Sequence, residues 1–309
     1  MNARVGTPTA VPELTVGEPG SGSSAAHALR WALANAFQRL VSHEPGVRTG
    51  EEPEDLHQAR VATRRFRVIL RQFRDVSERA WSDPLRAEVK VLSERLGAVR
   101  DTDVLEDRLR PVVESLGPLD RPHGRTLLEG LARTRKNARD RLMRMLLSPG
   151  HQQLLDRMHE AVRSPQLTEA CEGKAEDVLV PLATRAWRRV RTSIEDLGPQ
   201  PSDRDLHRVR IAAKRARYAV NVIAPVVGKP ALRFTSAAAR LQDALGDHQD
   251  AVVSQEWLRK RAAEAEPLEA FVAGELVARE QAAAAAARRA WPDAWKRLDR
   301  PRASAWLDG

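Results

Sequence analysis

His57, Arg60, Arg64, Arg67 and Arg71 recur at steps of three and four residues, the spacing that keeps side chains on one face of an α-helix. On a helix they would span about 21 Å. His207, Arg210, Lys214 and Arg217 repeat the arrangement. The chemistry open to such faces is anion binding. Guanidinium forks match phosphate oxygens bidentately, and an ammonium adds a point charge. Imidazole adds one donor when neutral and two when protonated. No carboxylate or nucleophile stands on either stripe, so neither spells catalysis.

The missing acids carry the argument. Residues 56–73 contain no Asp or Glu, and none occurs from Leu206 through Gln242. A solvated basic face normally includes acids at i±4, which stabilise the helix. Here Arg60/Arg64 and Arg67/Arg71 are like-charge pairs, each costing about 0.2–0.5 kcal/mol in an isolated helix. Acids on neighbouring helices or a bound polyanion must offset that cost. Metal ligation fits poorly. Paired histidine ligands on a helix usually stand at i, i+4, whereas each histidine here is followed by arginine at i+3. The reading is therefore no metal, no cofactor and no catalytic residue.

The elements that position these faces are helices. Leu29, Leu33, Ala36, Phe37 and Leu40 recur at helical spacing, and alternating β-branched runs are nearly absent. Breakers divide the chain into about ten helices with no strand. Ser82-Asp83-Pro84 is expected to open one. Leu116-Gly117-Pro118, Gly198-Pro199 and Gly228-Lys229-Pro230 close others, and Ser148-Pro149-Gly150 interrupts a long stretch. The opposite faces of the first stripe, with Leu56, Val61, Phe66, Val68, Ile69, Leu70 and Phe73, supply a core.

An internal repeat then emerges. Leu56-His57 aligns with Leu206-His207, and Arg60, Arg64, Arg65 and Arg67 align with Arg210, Lys214, Arg215 and Arg217. "LSERLGAVRD" (92–101) matches "LQDALGDHQD" (241–250), the offset shifting from 150 to 149. Gly97 and Gly246 are read as helix ends, and Asp101 and Asp250 as caps of the next helix. The fold class is all-α: two pseudo-symmetric helical bundles packed around a central basic groove. Residues 24–163 and 174–290 form the repeat halves, joined by 164–173. Residues 1–23 read as a disordered tail and 301–309 as a C-terminal tail. Trp291, Trp295 and Trp306 are expected to pack back onto the bundle.

The whole chain sets broad limits. It has 309 residues, a formal charge of +9 from 51 basic and 42 acidic residues, and one cysteine, Cys171. One cysteine excludes an internal disulfide framework, and the reading is cytoplasmic. No apolar run is long enough to span a membrane, and no signal-peptide core stands at the N-terminus. "GSGSSA" (20–25) formally fits a dinucleotide fingerprint but follows no strand. Aromatic platforms for single-stranded nucleic acid are absent. Arg133, Arg135, Lys136, Arg139, Arg141 and Arg144 form a further basic region spread over several faces.

The duplicated L-H-x-x-R-[VI]-x-x-[RK]-R-x-R motif, each copy followed by L-x-x-x-L-G-x-x-x-D, resembles the CHAD domain, the conserved histidine α-helical domain. The resemblance covers about 24–300. It implies two pseudo-symmetric bundles with basic faces around a groove, binding of inorganic polyphosphate, and association with polyphosphate granules. The motif carries that role onto His57, Arg60, Arg64, Arg67, His207, Arg210, Lys214 and Arg217; Arg71 extends it by helical geometry. Many relatives carry a fused CYTH domain acting on triphosphates, marked by E-x-E-x-K and a barrel of strands. Neither feature stands in this sequence.

Three functions compete. A non-enzymatic polyphosphate-binding module explains the acid-free stripes and their duplication. A metal-dependent phosphohydrolase or polyphosphate-processing enzyme would need carboxylates clustered beside His57 or His207. Nucleic-acid binding is allowed by charge but has no recognisable reading motif. The sequence names no protein partner.

Overall fold

The computed structural model describes residues 14–308. Ten α-helices account for nearly all of them. They are α1 (Ala25–Thr49), α2 (Pro53–Gln72), α3 (Arg79–Glu114), α4 (Arg121–Leu146), α5 (Pro149–Arg163), α6 (Ala175–Glu195), α7 (Asp203–Val227), α8 (Lys229–Ala262), α9 (Pro267–Leu298) and α10 (Pro301–Ser304). Short 3-10 turns stand at Arg74–Val76, Glu169–Glu172 and Ala305–Leu307. Among the described residues there is no strand, only two isolated bridges.

Local chemistry fixes the two helices that carry the basic stripes. Gly50, at φ 75°, closes α1 in the left-handed conformation. Pro53 then opens α2 at a position where its missing N–H costs nothing. Glu54 and Asp55 occupy the positive end of α2, and Arg71 its negative end. Ser202 caps α7 reciprocally: Asp205 N–H donates to Ser202 Oγ at 3.2 Å, and Ser202 N–H donates to Asp205 Oδ2 at 3.0 Å.

Helix α2 packs between α1 and α3, and α7 between α6 and α8. The two stripe helices also pack on each other. Their inward faces differ from the stripe: Leu56, Ala59, Ala62, Phe66, Ile69 and Leu70 are buried on α2, and Leu206, Val209, Ala213, Ala216, Ala219 and Val220 on α7. Val61 and Val68, expected in the core, are only half-buried. The main apolar core is continuous across both halves of the sequence. A second core lies farther along the long helices α3 and α8, where α4 and α9 join them through Leu109, Leu131, Leu258 and Leu276.

Several boundaries differ from expectation. Helix α3 begins at Arg79 and takes Pro84 inside it; Trp81 packs against the core ahead of the proline, so burial begins the helix earlier. Residues 1–13 of the expected N-terminal tail lie outside the described residues. From residue 14 the segment is packed, because Leu14 and Val16 lie against the core and His27 Nε2 stands 2.9 Å from Gly17 O. The C-terminal segment is likewise no loose tail. Ala303, Ser304 and Leu307 are buried, and Trp187 Nε1 donates to Asp308 Oδ1 at 3.2 Å. Trp291, Trp295 and Trp306 pack onto the core as expected.

Candidate functional site

Gly97 and Gly246 do not end helices. Each lies in the interior of a long helix, α3 or α8. Arg60 crosses α3 at Gly97, its Nε 3.6 Å from where a Cβ would stand. Arg210 crosses α8 at Gly246, its Nη2 3.5 Å from the corresponding point. A glycine in each helix leaves open the surface over which an arginine from the stripe helix lies. The expected caps are corrected by the same geometry. Asp101 and Asp250 continue the same helices one turn further, which puts them on the arginine's side. Arg60 Nη2 donates to Asp101 Oδ1 at 2.9 Å, and the Asp250 carboxylate acts on Arg210.

These acids come from helices that the stripe sequences do not contain, so the acid-free segments are partly compensated in space. The compensation is incomplete. Arg64, Arg67, Arg71, Lys214 and Arg217 form no ion pair in the described structure. Arg64 Nε, Arg210 Nε and Arg217 Nε are buried donors without a hydrogen-bond partner, and so is Arg65 Nε. A buried polar group left unpaired costs roughly 1–3 kcal/mol, more when charged. Arg64, Arg210 and Arg217 are half-exposed as residues, so an anion can reach the guanidinium tips.

The stripes face each other. Burial holds the Lys214 ammonium pKa down to about 7, reinforced by Arg210 of its own helix and by Arg64 and Arg60 of α2, with Asp250 opposing. Burial also pulls Arg60 and Arg210 below the usual guanidinium range, and Arg64 adds repulsion to both. Arg67 is lowered by burial first, against the pull of Glu94. These shifts share burial as their first cause, and the like charges gathered on the two helices add to it. Arg71 lies toward the end of α2, exposed and acting on Arg215.

The two histidines are held differently. His207 Nδ1 stands 2.7 Å from Gln249 Oε1; an amide oxygen accepts, so Nδ1 donates and Nε2 is left available. His57 has Arg100 nearby instead. Burial lowers its pKa, and Arg100, Arg60 and Arg64 add to that against the pull of Glu54. Arg100 and Gln249 are aligned positions in the two halves, each preceding the motif aspartate.

Tyr218 was missed by sequence reasoning as a site residue. Its ring is 5% exposed, with Arg217 Cζ 5.6 Å and Arg64 Cζ 6.0 Å from the ring centroid, distances at which a ring face attracts a cation. Burial would raise the phenol pKa, but Arg64 and Arg217 outweigh it and the net shift is downward. Arg65 was also left out of the stripe; it acts with Arg39, Tyr218 and Arg217. The only available signal was that Tyr218 stands just past the motif where the first copy has Val68, beside the further changes of Arg64 to Lys214 and Phe66 to Ala216. The basic region of α4 belongs elsewhere: Arg135 Nε donates to Asp103 Oδ1 at 2.5 Å, and Arg139 donates to the carbonyls of Val47 and Arg48. Among the described residues, no three His, Cys, Asp or Glu side chains are grouped to hold a metal, and no helix is long and apolar enough to cross a membrane.

Comparison with known proteins gives a consistent picture. A family model described as the CHAD domain matches residues 32–259. An uncharacterized protein of Mycobacterium tuberculosis strain H37Rv, Rv2226, is 31% identical over 241 residues, covering 75% of this chain and 45% of that protein. MT2285 of strain CDC 1551 matches over the same shares. The chain thus spans less than half the length of these curated relatives. The crystal structure of the CHAD domain from the plant Ricinus communis superposes with a TM-score of 0.76 at 24% identity, covering 95% of this chain and 98% of that one. PptA from Streptomyces chartreusis gives 0.75 at 22%, covering 89% and 100%.

Proposed function

Since the chain belongs to the CHAD domain family, we propose that it is a non-enzymatic binding module for inorganic polyphosphate. The observation that carries this reading is the meeting of two basic helix faces with buried, unpaired guanidinium nitrogens on both. Arg60, Arg64, Arg67 and Arg71 from α2 and Arg210, Lys214 and Arg217 from α7 present cations at intervals along a shared surface. A linear polymer with one charge per phosphate would relieve their repulsion and bond to the accessible guanidinium tips. His57 and His207 supply directional donors at its edge. Asp101 holds Arg60 in place through its hydrogen bond, and the Asp250 carboxylate partly offsets the charge of Arg210. Binding without turnover, and cytoplasmic recruitment to polyphosphate granules where such polymer is concentrated, are part of the same proposal.

A competition titration tests the reading. Long-chain polyphosphate should displace itself from the protein at concentrations where duplex and single-stranded DNA of equal charge do not. Equal competition by DNA would favour a general polyanion surface. Release of phosphate on adding divalent metal would favour a hydrolase.

A further inference from the structure

Two cavities flank the contact between α2 and α7, and they occupy the same place in the two halves of the chain. One has a volume of about 160 Å³ and lies among α2, α6 and α7. The other, of about 1060 Å³, lies among α1, α2 and α7. Each residue lining the small cavity has a counterpart 150 positions away that lines the large one. Arg189 and Arg215 match Arg39 and Arg65. Ala186 matches Ala36, and three pairs exchange an arginine: Arg71 faces the small cavity where Asn221 faces the large one, Arg74 where Ala224 stands, and Arg185 where Asn35 stands.

The large cavity acts as an internal control. The fold tolerates Asn35, Asn221 and Ala224 at the positions matching Arg185, Arg71 and Arg74, so folding alone does not demand an arginine at position 71, whereas Arg189 and Arg215 keep arginine counterparts. In the small cavity Arg74 is neutralised by Asp83, with Nη2 2.5 Å from Oδ2, and Arg185 by Asp75 at 3.1 Å. Arg71, Arg189 and Arg215 form no such pair among the described residues. Burial, then Arg71 and Arg189, weaken the hold of Arg215 on its proton. Three uncompensated guanidiniums thus crowd a space of about five water volumes, at roughly 30 Å³ each. That space suits one or two phosphoryl groups and not a folded polymer.

We propose that this cavity is a discrete site for a terminal phosphoryl group, free as pyrophosphate or at the end of a longer phosphate chain, held by Arg71, Arg189 and Arg215. Only Arg71 is shared with the α2–α7 face, so the site stands independently of how that face is used. An end group carries more charge and more free oxygens than an interior phosphate. Three guanidinium forks can engage it from different sides, whereas an interior unit has two oxygens committed to bridges.

The test is a calorimetric titration of pyrophosphate into the full chain at moderate salt. Wild type should bind at one site. Arg189→Gln, which alters an exposed residue and leaves folding intact, should weaken that binding about tenfold, the effect of one lost charged hydrogen bond; Arg215→Gln should match it. Arg64→Gln should change it less than about twofold, and Arg189→Gln should leave long-chain polyphosphate bound. Absence of pyrophosphate binding to wild type, or equal binding by Arg189→Gln, overturns the site. Long polyphosphate with chemically blocked ends should displace pyrophosphate poorly compared with the free-ended polymer. Equal displacement overturns the terminal-group assignment while leaving the chain-binding reading intact.

Discussion

Arg60 lies across Gly97, with 3.6 Å between its Nε and the position a Cβ would take. That gap is ordinary van der Waals contact, so a methyl group fits and a longer side chain does not. Gly97→Ala should therefore stabilise the protein by about 0.5–1 kcal/mol, the helix-interior penalty of glycine, and leave polyphosphate affinity unchanged. Gly97→Leu should displace the Arg60 guanidinium, break its 2.9 Å hydrogen bond to Asp101 and weaken binding several-fold. Thermal melts and titrations of the two variants check this. Equal loss of affinity in both would mean that the glycine serves something other than room for Arg60.

Lys214 should dominate the pH dependence of binding. Its pKa of about 7 in the free protein reflects burial and then Arg210, Arg64 and Arg60. A bound polyanion favours the charged form, so binding takes up a proton and tightens as pH falls from about 8 to about 6. The unfolded lysine titrates near 10.4, so between about 7 and 10 the unfolded state holds more protons and stability rises with pH. Lys214→Arg should flatten the binding profile and keep high affinity. His57→Gln with His207→Gln should alter it less; the reverse ranking would return the pH response to the histidines.

Tyr218 should act as a positioning residue. Tyr218→Phe keeps the ring beneath Arg64 and Arg217 and should preserve affinity within about twofold. Tyr218→Leu removes two cation–ring attractions of roughly 0.5–2 kcal/mol each and should weaken binding by about tenfold or less, with a faster off-rate. Conservative rescue by phenylalanine separates positioning from a hydroxyl-dependent role.

The helical class, the stripe helices and the breakers at Gly228 and Pro149 were legible because helical periodicity and turn chemistry are local. His57, Arg60, Arg64 and their α7 counterparts could be found for the same reason. The function of Gly97 was not. A glycine inside a helix looks like a terminus until the arginine crossing it is seen, and that arginine is more than thirty residues away in sequence. Asp101 and Asp250 were misread as caps for the same reason, since their partners lie on other helices. Tyr218 escaped because a buried aromatic on a core-bearing helix carries no local sign that two guanidiniums approach its ring. Both ends of the chain looked polar enough to be loose, yet Leu14 and Leu307 find apolar partners that no local window contains.

Polyphosphate affinity should fall steeply with salt, because cations that neutralise phosphates release condensed counterions. For nucleic acids the logarithmic slope is roughly −0.7 to −0.9 per neutralised charge, and a similar slope is expected here. Removing Arg67 by Arg67→Gln should make it shallower by about one charge. An unchanged slope would place Arg67 off the binding path.

The most direct measurement is the affinity of the full chain for long polyphosphate after charge reversal on either helix. Arg64→Glu on α2 and Lys214→Glu on α7 should each weaken binding at moderate salt by about tenfold or more, and circular dichroism should confirm that each variant remains helical. The double variant should lose less than the product of the single effects, because both groups meet the same stretch of polymer. Wild-type affinity in both folded variants would contradict a shared polyphosphate site on the two faces.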